Sequence, residues 1–163
     1  MLDDPFRYGL LIALAIALLT AAITDLRSRK IANWLNAGIA LAAPLFWWAS
    51  GMDLWPDVAM QLALALLTFA VLCGLFALGQ MGGGDIKLLT ALALWIAPFA
   101  FLQLLVLMAL IGGFLTILFG AWHLMRRQRD KIAIPYGLAI AAAGLWILGS
   151  TYLAVASATA TAG

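Results

Sequence analysis

Charge and cysteine are what this sequence is short of. Only 10% of its 163 residues are charged, all seven acids are aspartates, and there is one histidine. The lone Cys73 lies inside an apolar run, which excludes an internal disulfide and any paired-CxxC zinc site. No metal or cofactor is called for, and no nucleic-acid partner is expected. Long hydrophilic stretches are missing as well. No segment between the apolar runs could fold as a second, water-soluble domain, so residues 1–163 read as a single transmembrane domain. The N-terminus, Met1-Leu2-Asp3-Asp4-Pro5-Phe6-Arg7, lacks the basic start of a secretory signal, and the first apolar run is expected to be a retained helix.

What is present is apolar surface. The chain is 66% hydrophobic, with a mean hydropathy of +1.09, a composition that demands a lipid bilayer as partner. Spanning-length runs occur at residues 6–24, 34–50, 57–78, 99–122 and 134–156, with a shorter one at 85–97. They predict an all-α integral membrane protein, a single bundle of about six helices with an irregular Gly-rich segment before the fourth. Arg27, Arg29, Lys30, Lys87, Arg126, Arg127, Arg129 and Lys131 fall in or beside the first, third and fifth connections, and only Arg7 falls on the other side. The positive-inside rule then turns those connections to the cytoplasm and both termini outward. Trp34, Trp47, Trp48, Trp55, Trp95 and Trp122 sit near predicted helix ends, as an interfacial aromatic belt requires, and Trp146 alone lies deep in a helix.

Glycines and a carboxylate come together once, at Gln80-Met81-Gly82-Gly83-Gly84-Asp85-Ile86-Lys87. Three glycines disfavour helix by roughly 0.8–1 kcal/mol each relative to alanine, while allowing close approach of backbone. From Asp85 to Ala97 the short run reaches about 20 Å against a hydrocarbon thickness of about 30 Å, which predicts a sunken, wet pocket at Asp85. An intramembrane carboxylate is costly and usually marks function. Its expected partner is Asp25, on the same side of the membrane, which continues the small-residue stripe Ala13, Ala17, Ala21 of the first helix and should face inward. Similar stripes are Gly112, Thr116, Gly120 on the fifth helix and Gly137, Ala141 on the sixth. Two carboxylates in one cavity tend to share a proton, leaving one acid and one base, which is the chemistry of an aspartic protease dyad. Either residue can take either role.

These residues resemble the type IV prepilin peptidases, membrane aspartic proteases with a GxGD signature. Gly82, Gly83, Gly84 and Asp85 fit GxGD, and Asp85-Ile86-Lys87-Leu88 fits the family's D-x-K-L continuation. Asp25 to Asn33 is similar to its D-x(5)-I-P-N segment, with Ala32 in place of proline, and Ile134-Pro135-Tyr136-Gly137 is similar to the start of its last helix. The resemblance implies a membrane-embedded aspartic endopeptidase with Asp25 and Asp85 as catalytic dyad. Gly82, Gly83, Gly84, Lys87 and Asn33 would support the active loop or bind substrate. Without the long cytoplasmic insertion of the bifunctional members, it implies no N-methyltransferase activity. The short form points to tight-adherence (Flp-type) pilus systems and to removal of a prepilin leader at the cytoplasmic face of the inner membrane. Preflagellin peptidases are the neighbouring subfamily.

Other readings stand beside these. The same carboxylates could serve a small proton- or solute-translocating protein, and the small-residue stripes a non-catalytic pilus-assembly scaffold. The glycines could simply separate two helices. Lys87 could tune the dyad or snorkel to lipid headgroups, although two residues along a regular helix it would not face Asp85. Asn33 could bond within the active loop or cap the second helix. His123 reads as solvated, and the cluster Arg126, Arg127, Gln128, Arg129 as a topology and lipid-headgroup determinant.

Overall fold

The structure, a computed structural model, describes residues 5–126 and 136–153, and it is all-helical over them. Six α-helices follow one another: α1 (Pro5–Ser28), α2 (Asn33–Ala49), α3 (Ala59–Ala77), α4 (Gly83–Ala93), α5 (Pro98–Arg126) and α6 (Tyr136–Ile147). A short segment, Leu54–Val58, with extended backbone at Trp55, precedes α3, and a short π-helical segment, Leu148–Leu153, follows α6. Each helix falls on one of the apolar runs. Three segments are long and apolar enough to cross a membrane, Pro5–Ser28, Leu54–Ala77 and Pro98–Trp122, and Tyr136–Thr151 is a shorter apolar helix.

These helices turn large apolar side chains outward in continuous bands. On α1, Ile12, Ile16, Leu19 and Ile23 are exposed, and on α5, Leu110, Phe114, Ile117 and Leu118. Apolar bands of this extent are stable against lipid rather than water. The aliphatic hydroxyls on α1 are satisfied locally, as a helix in hydrocarbon requires: Thr20 donates to the Ile16 carbonyl, Thr24 to the Thr20 carbonyl and Ser28 to the Thr24 carbonyl.

At 11 residues, about 16 Å, α4 is shorter than the roughly 30 Å hydrocarbon layer, yet it holds the centre. Leu88, Leu89, Leu92 and Ile96 are fully buried. Around it, α1 packs on α2 and α6, and α6 on α5, while α3, α2 and α6 all pack on α4. Where α1 meets α6, Gly137, Ala141 and Gly144 form a buried small-residue face. A Cβ at Gly144 would stand 2.9 Å from Leu18 Cδ1, so glycine is what admits the leucine.

Several expectations are corrected. The buried stripe of α1 is Leu11, Leu14, Leu18, Ala21 and Asp25: of the expected row Ala21 and Asp25 belong to it, and Ala13 and Ala17 do not. Ala13 and Ala17 instead line an apolar cavity against Trp34, Leu35 and Gly38 of α2. Trp95 does not sit in an interfacial belt: it is 2% exposed, stacked on Phe46 at 5.0 Å, and donates its indole N–H to the Ile39 carbonyl. Trp47 likewise donates to the Leu94 carbonyl. The two indoles thus cross-link α2 and the segment after α4, each donating to a carbonyl of the other, and position near a helix end could not reveal that. Trp146, by contrast, is 68% exposed. Arg127, Gln128, Arg129, Lys131, Ile134 and Pro135 lie outside the described residues, as do the side chains of His123 and Arg126.

Candidate active site

The glycine segment is less irregular than its composition predicts. A turn with Gly79 at φ +69° closes α3. Gly82, in extended conformation, is the N-cap of α4, and Gly83 and Gly84 already belong to the first helical turn. Two of the three glycines are therefore helical, tolerated because a first turn has few intrahelical bonds to lose. A Cβ at Gly82 would stand 3.0 Å from Asp85 Oδ2, and one at Gly84 would touch the backbone and side chain of Ile31 at 3.4–3.7 Å. Asp85 is the third helical residue, where a carboxylate can fold back over the N-cap, and the Gly82 amide interacts with it there.

Asp25 lies in the last turn of α1, 6% exposed. Its backbone carbonyl accepts from Arg29 N–H at 2.8 Å, and Arg29 takes φ +53°, a left-handed C-terminal stop that turns the chain back toward the bundle. That turn buries Ile31 against Gly84. The Asp25 carboxyl faces the start of α6. The backbone amides of Leu138 and Gly137 interact with it, and the Arg29 guanidinium acts on it from the solvent side. Oδ2 is buried and has no hydrogen-bond partner among the described residues, so the positive end of α6 is its principal neighbour. A Cβ at Gly137 would stand 2.7 Å from Oδ2.

The two carboxylates, on different helices and 60 positions apart, are close enough that the charge of Asp25 acts on Asp85. Each faces the amides of a helix start, which partly offsets the cost of holding two anions together.

Lys87 points away from Asp85 and donates through Nζ to Asn33 Oδ1 at 2.8 Å. Asn33 does not cap α2: the N-cap is Ala32, without a side-chain cap, and Asn33 is the first helical residue. One turn on, Asn36 donates through Nδ2 to the Gly84 carbonyl at 3.3 Å. Two asparagines of α2 thus hold the start of α4. Asn36 was missed by sequence reasoning, though its i, i+3 spacing from Asn33 on one helix face was a usable signal. Leu138, whose amide faces Asp25, carried no signal at all. Among the described residues no cluster of His, Cys, Asp or Glu is placed to hold a metal.

A paired-carboxylate site carried by an all-helical protein with lipid-directed apolar faces defines a class, the membrane-embedded aspartic peptidases. A family model, the type IV leader peptidase family, matches residues 12–120, more than half of the chain and inclusive of Asp25 and Asp85. The chain belongs to the type IV leader peptidase family, and its function is of the prepilin-peptidase type. Comparison with curated proteins and with solved structures finds no match.

Proposed function

We propose that this chain is a single-domain aspartic endopeptidase that removes the leader of Flp-type prepilins, with Asp25 and Asp85 as its dyad and without methyltransferase activity. The observation that carries the reading is the electrostatic meeting of Asp25 and Asp85 across two helices. One carboxylate, ionised, takes a proton from water as the water oxygen attacks the scissile carbonyl. The other, protonated, donates to the developing oxyanion; as the C–N bond breaks, the amine leaves with the proton the first carboxylate took from water, and the diol hydroxyl returns its proton to the second. Gly82 leaves room for the Asp85 carboxyl at the start of α4, and Asn33 with Lys87 ties that helix to α2. The basic connections turn the site to the cytoplasmic face of the inner membrane, with six crossings and both termini outside.

Mass spectrometry of a Flp-type prepilin co-expressed with the wild-type chain, Asp25→Ala or Asp85→Ala tests this. Leader loss with the wild type alone is expected, and the product mass locates the scissile bond. Cleavage that persists in either variant removes the dyad. A prepilin left uncut by a folded, inserted wild-type chain returns the weight to translocation or scaffolding.

A further inference from the structure

On the face of α4 away from Leu88 and Leu92, a cleft of about 320 Å³ opens between α2 and α3. Its floor includes Lys87, Thr90 and Ala91, one wall is Asn36 and Ala37, and the other is Phe69 of α3. Two polar atoms in this lining are buried without a partner among the described residues: Asn36 Oδ1 and Thr90 Oγ1. Asn36 is 4% exposed, and its other amide atom is already spent on the Gly84 carbonyl. Lys87 at the same cleft is held by a neutral amide, and no carboxylate lines it.

Buried polar groups are seldom left unsatisfied, and each one left so costs about 1–3 kcal/mol. The pair here is an acceptor and a hydroxyl that can donate, beside a cation with spare N–H groups. A phospholipid chain offers neither partner, and a helix satisfies its own backbone except at its ends. An extended peptide offers both, alternating N–H and C=O along its length. The alanines leave room for its backbone, as small residues do wherever a second backbone approaches.

We propose that this cleft is a substrate subsite in which an extended segment of the prepilin lies along α4, its N–H donating to Asn36 Oδ1 and its C=O accepting from Thr90 Oγ1. The inference rests on the peptidase reading and deepens it. Because Asn36 also holds Gly84, and Asp85 follows Gly84 directly, occupancy of the cleft bears on the position of the catalytic carboxylate.

The test uses the full chain in phospholipid vesicles and a synthetic peptide covering the leader and the adjoining mature residues of a Flp-type prepilin. Thr90→Val removes the hydroxyl without changing shape and is expected to raise KM about fivefold, the worth of one hydrogen bond of about 1 kcal/mol, with kcat unchanged. Thr90→Ser restores KM. Independently, a photoreactive residue at position 37 in the Asp85→Asn background is expected to crosslink the peptide, and one at the lipid-facing position 110 is not. Crosslinking with no cleavage by the wild type would overturn the proteolytic reading and leave the cleft as a peptide site. Cleavage with an unchanged KM for Thr90→Val, or with position 37 crosslinking phospholipid alone, would overturn the subsite and leave the peptidase. Absence of both cleavage and crosslinking overturns both.

Discussion

Gly137 stands against Asp25 so closely that a Cβ on it would meet the Asp25 Oδ2, Cγ and Cβ atoms at 2.7, 2.8 and 3.0 Å. No ordinary contact is that short, and the atoms it would strike include the stem of the side chain and not only its tip. The carboxylate is therefore placed by the absence of a side chain on α6 as much as by its own helix. The same absence lets the amides of Gly137 and Leu138 reach it.

Gly137→Ala is accordingly expected to displace Asp25 or push α6 outward. Overpacking of this kind costs about 1–3 kcal/mol. Leader cleavage should fall by about tenfold or more, since misplacement by an ångström costs about that much or worse, and the melting temperature in detergent should drop with it. Gly113→Ala, where an added Cβ meets nothing within 4 Å, is the matched control and should leave both unchanged. Equal behaviour of the two variants would refute the positioning role.

The three consecutive glycines are expected to be unequal. A Cβ at Gly82 approaches Asp85 Oδ2 at 3.0 Å, whereas at Gly83 it meets only the Phe76 ring edge at 3.6 Å. Gly82→Ala should lower cleavage severalfold with little change in stability, because Gly82 already holds an extended conformation open to alanine. Gly83→Ala and Gly84→Ala should retain most activity and gain up to about 1 kcal/mol from helix propensity in the first turn. Gly84→Val should be damaging, since a branched side chain would extend into Ile31. Initial cleavage rates and thermal melts of the four variants settle the order.

Lys87 bonds to Asn33 and not to the dyad, so Lys87→Met should leave the shape of the pH–activity profile unchanged. Its effect on rate should be non-additive with Asn33→Ala, with a coupling of about 0.5 kcal/mol, as for an exposed hydrogen-bonded pair. A displaced pH optimum in Lys87→Met would show instead that the ammonium acts on the carboxylates.

The residues themselves determined a great deal. Runs of apolar side chains set the positions of all six helices, because a helix that meets lipid must be apolar along its length and its connections cannot be. The two aspartates proposed as the dyad also stand out in the sequence, since carboxylates are scarce in this chain and costly beside membrane helices. The same holds for the pairing of the D-x(5)-I segment with the glycine segment, which the structure realises as Ile31 seated on Gly84. What the pattern could not decide was which neighbour each of these groups would meet. Trp95 reads as interfacial by position and is buried because the carbonyl of Ile39 lies within reach of its indole. The spacing of Asn36 from Asn33 puts it on the same face of α2 but does not say that its partner is the Gly84 carbonyl, 48 residues away. Composition and periodicity report how a side chain partitions between lipid, water and protein, and that is a property of the residue and its helix. Hydrogen bonds, the fit of Gly137 to Asp25 and the cleft beside α4 depend on distances between helices, and those exist only once the bundle has packed.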